Sequence, residues 1–188
     1  MAFFSLHELV DIVIMIAAVG FIFKDSFVLP VKRDYDPLKS LGSGLNFESM
    51  KMAVLVTAPA IALHEMSHKF VALSFGIPAT FHADYFWLAI GVVLKLVGFP
   101  FIFFVPGFVS HASASSMANA VIAFAGPFVN LVLWLGSALL LRTNASAKYG
   151  PLLHMTRGIN MFLFIFNMIP IPPFDGSRVF GYLLGLVF

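Results

Sequence analysis

The residues best suited to chemistry in this chain are His64, Glu65 and His68, which form the pattern His-Glu-x-x-His. On an α-helix, residues four positions apart lie on the same face about one turn apart, so both imidazoles can reach one metal ion. The glutamate between them is then placed to act as a general base on a water molecule at that metal. The pattern predicts a catalytic zinc centre of the peptidase kind.

The pattern lies within a long apolar segment, residues 52–75, which Gly76 and Pro78 bring to an end. Two imidazoles and a carboxylate are costly to bury in a membrane-spanning helix, and membrane proteins retain such groups mainly where they have a function. The setting therefore predicts that the zinc centre lies within the bilayer.

The composition is that of a membrane protein. Of 188 residues, 60% are hydrophobic and 11% are charged, whereas soluble domains carry about 25% charged residues. The chain has no cysteine, which excludes disulfides, thiolate zinc sites and cysteine nucleophiles, so a metal must be held by His, Asp or Glu. The net charge of +2 and the lack of a basic block argue against a nucleic-acid partner.

Four apolar runs predict membrane-spanning helices, at residues 9–23, 52–75, 112–141 and 152–169. We therefore predict an all-α polytopic membrane protein with roughly four to six transmembrane helices. It should form a single metalloprotease domain over residues 1–188, with its core at 52–176. The first run lacks a basic segment before it and a small-residue cleavage site after it, which favours a retained helix over a signal peptide.

Two further stretches interrupt this simple pattern. His7, Glu8 and Asp11 stand near the start of the first run, and we interpret them as its interfacial end. Residues 79–111 contain an apolar part that Lys, Gly and Pro interrupt, with frequent aromatic and β-branched residues. We expect short membrane-embedded strands or a re-entrant hairpin there rather than a full helix, with a small membrane-associated β element around 79–105.

A catalytic zinc ion needs a third protein ligand, which leaves the fourth position for water. The chain offers several candidates outside the first motif, namely His82, Asp84, His111, His154 and Asp175. Asp175 stands out because it lies in an apolar segment that Pro170, Pro172 and Pro173 break. Coordination of a metal would offset the cost of placing that carboxylate there.

Three motifs together resemble the site-2 protease family of intramembrane zinc metalloproteases. They are His-Glu-x-x-His at 64–68, Gly-Pro-x-x-Asn at 126–130 and Asn-x-x-Pro-x-x-Pro-x-Asp-Gly at 167–176. They occur in the order that the family has and span most of the chain. The overall form is similar to the short archaeal or bacterial members.

The resemblance implies a catalytic role for five residues. His64, His68 and Asp175 would bind one zinc ion, which is the cofactor that the family uses. Glu65 would take a proton from the zinc-bound water and pass it to the leaving amine. Asn167 would donate to the developing oxyanion, with helix capping at the proline break as the alternative role.

The resemblance also implies a supporting role for the middle motif. Asn130 would orient the substrate or the site, although asparagine also bridges membrane helices as a structural residue. Gly126 and Pro127 are expected to act in helix packing and in a kink of the helix.

These observations predict an intramembrane zinc endopeptidase that cuts within or near transmembrane segments of membrane-tethered regulatory proteins. Its partners would be a transmembrane protein substrate and the lipid bilayer, and it would be a multi-pass protein of a prokaryotic cell membrane. The alternative is a metal-ion transporter that uses His64, His68 and Asp175 as a transient site. A catalytically inactive scaffold is the third class, and the intact Glu65 argues against it.

Two expectations concern the substrate and the orientation of the protein. A strand near Phe81 to Trp87 could hold an unwound substrate by strand addition. Eight Lys and Arg residues in the loops at 24–51 and 142–157 would place those loops in the cytoplasm by the positive-inside rule. The family arrangement implies the opposite side, so the orientation stays open.

Overall fold

Helices make up most of the part of the chain that the computed structural model describes, which is residues 3–24, 47–99 and 106–185. This part holds six helices and two strands, in the order α1 (Leu6–Phe23), α2 (Phe47–Ser74), β1 (Ala79–Ala83), α3 (Tyr85–Leu96), β2 (Gly107–His111), α4 (Ser116–Leu140), α5 (Ala145–Asn167) and α6 (Asp175–Leu183). The predicted helical class is confirmed, with a small two-stranded sheet added to it.

Three of the four predicted runs start further toward the N-terminus as helices, because polar residues extend them, whereas α4 starts at Ser116, inside its run at 112–141. In α1, the hydroxyl of Ser5 accepts a hydrogen bond from the Glu8 N–H, and the Glu8 carboxylate accepts one from the Ser5 N–H. This capping box satisfies backbone donors that the first turn leaves open. In α5, the helix begins at Ala145, so most of the loop expected at 142–157 is helical.

The central element is α4, which contacts α2, α5 and α6. Its buried face consists largely of small residues, which let neighbouring helices approach closely: Ala118, Ala120, Ala123, Ala125 and Gly126. Helix α1 packs on the other side of α2 and also contacts β1. The helix that carries His64 and His68 therefore lies between α1 and α4.

Two helices of the described part are long and apolar enough to cross a membrane, α1 with 18 residues and α4 with 25 residues. This is weak support for membrane association, because a signal sequence or the core helix of a soluble protein passes the same test. The predicted count of four to six spans is not confirmed. Residues 25–46, most of the predicted loop at 24–51, lie outside the described residues.

The segment from 79 to 111 combines strands and a helix. β1 and β2 pair antiparallel, from Ala79 opposite His111 to Ala83 opposite Gly107. The predicted β element therefore exists, although β2 lies beyond the predicted limit of 105. Between the strands, residues 85–96 form α3, where strands or a hairpin were expected. Asp84 explains the helix start, since its carboxylate accepts a hydrogen bond of 3.1 Å from the Trp87 N–H.

The acidic residues of α1 are buried inside the protein and are not a solvated helix end, while their position relative to a membrane interface stays a prediction. Glu8 is 3% exposed and Asp11 is 1% exposed. The Glu8 carboxylate pairs with Lys69 and accepts a hydrogen bond of 2.8 Å from the Phe81 N–H. Asp11 accepts one of 3.1 Å from the Ala83 N–H and another from the Tyr85 hydroxyl. The two carboxylates thus satisfy backbone donors on the edge of β1 that faces away from β2.

The buried pair of Glu8 and Lys69 generates a stability prediction. The substitution Lys69→Met should lower the free energy of unfolding by about 3–5 kcal/mol, because it leaves the Glu8 carboxylate buried without its cation. Equilibrium unfolding followed by circular dichroism measures the change. Lys51→Met is the matched control, since Lys51 lies on the same helix and is exposed. Equal free energies of unfolding for the two variants would show that the pair of Glu8 and Lys69 does not contribute this stability.

Candidate metal centre

Three side chains that can bind a metal converge between α2 and the start of α6. The Nε2 atoms of His64 and His68 lie 3.2 and 3.4 Å from Oδ2 of Asp175. One ligand atom from each residue lies within 4.8 Å of the others, and the two histidines are buried. The structure thus brings together the first motif and an aspartate more than a hundred positions further along the chain.

Hydrogen bonds on the far side of each imidazole determine which nitrogen faces Asp175. Nδ1 of His68 lies 2.7 Å from the carbonyl oxygen of Ile122, which can only accept, so Nδ1 donates. Nδ1 of His64 lies 2.5 Å from Oδ1 of Asn130. The amide of Asn130 is oriented by its Nδ2, which donates to the Ala60 carbonyl at 3.1 Å. In both rings the Nε2 lone pair is therefore free to bind a metal.

These residues fit a zinc ion. Two imidazole lone pairs and a carboxylate oxygen face one another in a buried site, and such donors repel one another unless a cation lies between them. Two histidines and one carboxylate form a common ligand set of catalytic zinc sites, which keep one position open for water. The described residues that could hold such an ion are His64, His68 and Asp175.

Asp175 reaches the site because the chain breaks and then restarts a helix at this residue. Prolines 170, 172 and 173 prevent α5 from continuing, and Asp175 is the first residue of α6. Gly176 allows the close approach, since a Cβ there would lie 2.5 Å from the Met168 carbonyl carbon. The helix start carries a partial positive charge that favours a carboxylate.

The middle motif lies directly against the metal ligands. A Cβ at Gly126 would lie 2.6 Å from Nε2 of His64 and would also meet Nε2 of His68. Only glycine therefore lets the α4 backbone pass so close to both rings. Pro127 is fully buried within α4, and Asn130, one turn further on, is also fully buried.

Glu65 lies one residue from His64 in the chain, and Asn167 lies eight residues before Asp175. Glu65 follows His64 on α2 and is 9% exposed. Asn167 is the last residue of α5, and its amide donates 2.9 Å to the Leu163 carbonyl of its own helix. The general-base role of the first and the oxyanion role of the second stay predictions.

The other candidates for the third ligand lie elsewhere. His82 and His111 are on the paired strands, where His82 Nε2 lies 3.0 Å from the Ser110 hydroxyl. Asp84 caps α3, and His154 is exposed on α5. Within the described ranges, only His64, His68 and Asp175 form a group that could hold a metal ion.

Sequence reasoning missed the contribution of Asn160. Its side chain is fully buried on α5, and its Oδ1 accepts a hydrogen bond of 2.8 Å from Nδ2 of Asn130. The available signal was an asparagine within an apolar run, two helical turns before Asn167. That signal does not identify the partner, which lies on a different helix.

A buried His-Glu-x-x-His helix that a distant aspartate completes defines the class of zinc metalloproteases. Comparison with known proteins agrees. The chain is 34% identical over 183 residues to "Putative zinc metalloprotease MJ0611" of Methanocaldococcus jannaschii, covering 94% of this chain and 84% of the relative. It is 28% identical over 152 residues to "Putative zinc metalloprotease YwhC" of Bacillus subtilis, covering 69% and 68%.

The chain belongs to this family of zinc metalloproteases. No protein-family model and no solved structure matches it. The relatives and the geometry of His64, His68 and Asp175 agree on a zinc metalloprotease.

The close approach of the α4 backbone at Gly126 to both imidazoles leads to a prediction on metal binding. Gly126→Ala should weaken zinc binding by roughly 10–100-fold, because the added methyl group displaces both imidazoles. Competition with a chromophoric chelator measures the dissociation constant. Gly136→Ala is the matched control on the same helix, since a Cβ there meets nothing within 4 Å. Unchanged zinc affinity in Gly126→Ala would contradict this account of the glycine.

Proposed function

We propose that this zinc metalloprotease is an intramembrane endopeptidase of the site-2 protease type. It hydrolyses peptide bonds within or near transmembrane segments of membrane-tethered regulatory proteins. The observation that carries the proposal is the place of the metal centre, which is buried between helices whose outer faces are apolar. The protein would be a multi-pass protein of a prokaryotic cell membrane, and both curated relatives come from prokaryotes.

The apolar outer faces support the membrane setting. Large hydrophobic side chains are exposed along α1, α4 and α5, among them Leu9, Val13, Val121, Val132, Leu135, Leu139, Phe162 and Ile165. Soluble monomers rarely expose contiguous apolar patches of more than a few hundred Å². A lipid environment removes the cost of this exposure, which is why the composition and the fold together favour a bilayer.

The reaction follows from the roles of the residues around the centre. Zinc, when bound, supplies a Lewis acid that polarises the scissile carbonyl and makes water more acidic. Glu65, next to His64, takes a proton from the attacking water and delivers it to the leaving amine. The Asn167 amide carries two N–H groups, so it can donate one to the Leu163 carbonyl and the other to the oxyanion.

The hydrogen bonds of β1 favour β2, rather than the expected β1, as the strand to which a substrate would add. The N–H groups of Phe81 and Ala83 already donate to Glu8 and Asp11, so this edge of β1 cannot receive another strand. Val109 of β2 lies opposite Phe81 in the antiparallel pair. Because the Phe81 N–H points away from β2, the Val109 N–H points away from β1, toward the other edge of the sheet. No described residue hydrogen-bonds to the Val109 N–H. An unwound substrate would add to this edge, and β2 also contacts α2.

The role of Glu65 gives the central test of the proposal. Glu65→Gln should keep its zinc and lower cleavage of a model transmembrane substrate in vesicles by roughly 10²–10⁴-fold. The amide cannot accept the proton, whereas the three ligands are unchanged. Glu48→Gln makes the same change on the same helix, far from His64 in sequence, and should cleave at the wild-type rate.

The same experiment separates the protease from the transporter. Unchanged cleavage in Glu65→Gln would remove Glu65 from the mechanism. Zinc flux across the vesicle membrane that survives in a variant without cleavage would favour transport. Loss of cleavage with full zinc content and no flux supports the protease.

The edge of β2 generates a separate prediction. Val109→Pro removes the outward N–H and should lower cleavage roughly fivefold, the equivalent of about 1 kcal/mol for one hydrogen bond. The paired residues Phe108 and Ser110 keep their bonds to β1. Val109→Ala is the control because it shortens the side chain and keeps the N–H. Equal cleavage by the two variants, with equal zinc content, would rule out this edge as the substrate site.

A further inference from the structure

A line of side-chain amides connects the metal centre to the middle of α5. Nδ1 of His64 donates to Oδ1 of Asn130, and Nδ2 of Asn130 donates at 2.8 Å to Oδ1 of Asn160. Nδ2 of Asn160 donates at 2.8 Å to the Thr156 carbonyl. Both asparagines are fully buried. The line starts at a metal ligand and ends at a backbone oxygen, and every donor in it points away from the zinc site.

The direction of this line is determined at its far end. The Thr156 carbonyl can only accept, so it orients the amide of Asn160 with Oδ1 toward Asn130. That oxygen and the Ala60 carbonyl are then two acceptors around Nδ2 of Asn130. Rotating the Asn130 amide by half a turn would break both bonds and place two pairs of oxygens against each other.

The orientation of Asn130 matters because it selects the tautomer of His64. With Oδ1 toward the ring, Nδ1 carries the proton and Nε2 presents its lone pair toward Asp175. With the amide reversed, Nδ1 would accept and the proton would move to Nε2, where it blocks metal binding. Without Asn160, the Ala60 carbonyl alone would oppose that reversal.

We propose that Asn160 is a positioning residue for zinc, which acts through Asn130 to hold His64 in the tautomer that binds the metal. The inference deepens the proposed function, since it identifies an outer partner of the same site, on a helix that supplies no metal ligand. Outer partners of this kind commonly change metal affinity by about 10–100-fold when they are removed.

The test compares two variants of Asn160 in the full chain. Asn160→Ala removes the acceptor for Asn130 and should weaken zinc binding roughly 10–100-fold in chelator competition. Asn160→Asp keeps that acceptor, and a buried aspartic acid in its neutral form can still donate to the Thr156 carbonyl. This conservative variant should bind zinc within about threefold of the wild type, well inside the range for a lost outer partner.

A nuclear magnetic resonance readout separates positioning from general packing. In the zinc-loaded protein, the Nδ1 proton of His64 should exchange faster with water in Asn160→Ala, since its acceptor is no longer held. The Nδ1 proton of His68 donates to the Ile122 carbonyl and should be unchanged, which makes it an internal reference. Thr57→Val is the matched control, because Thr57 is a buried polar residue of α2 outside this line.

Specific outcomes would overturn the proposal. Wild-type zinc affinity and proton exchange in Asn160→Ala would show that Asn160 does not act on the centre. Equal losses of affinity in the Ala and Asp variants, with His64 and His68 protons changed alike, would show a packing effect instead. If Asn160→Ala does not fold, Asn160→Ser is measured in its place under the same criteria. None of these readouts needs proteolysis, so a failure of the proposed function would appear separately, in the cleavage of the wild type.

Discussion

The mutual repulsion of three electron-pair donors is the constraint on which the rest of this structure depends. Two imidazole nitrogens and a carboxylate oxygen lie within 4.8 Å of one another in a buried site. In a low dielectric, such an arrangement is costly unless a cation lies between the donors and the surrounding protein prevents them from moving apart. The elements around the centre hold the two imidazoles and the carboxylate in place.

Helix α4 supplies most of that support without supplying a ligand. Its small residues bring the backbone against the two rings, its Ile122 carbonyl holds His68, and its Asn130 holds His64. The proline break after α5 then lets a new helix begin at Asp175, at the depth of the two rings. An apolar bundle thereby contains a polar centre in which hydrogen bonds orient both histidine ligands.

A second polar network performs a different task at the other face of α2. Glu8 and Asp11 satisfy the free backbone donors of β1, and Lys69, the residue after a zinc ligand, neutralises Glu8. This network attaches the sheet to α1 and α2, and within the described part of the chain the Val109 N–H on the outer edge of β2 has no hydrogen-bond partner. Charged groups in an apolar protein are here internal partners of the backbone, in agreement with the high cost of leaving such donors unpaired.

The sequence by itself determined the ligand types, the helical class and the local pattern of the centre, because the spacing in His64 to His68 depends only on helix geometry. It also indicated Asp175, through the unusual setting of a carboxylate among prolines. Tertiary structure decided the partners of Glu8, Asp11 and Asn160, which lie on other elements, and it placed α3 where strands were expected. Such pairings join residues from 30 to more than 70 positions apart. Local propensity carries no information at that range, since only the packing of the helices brings these groups together.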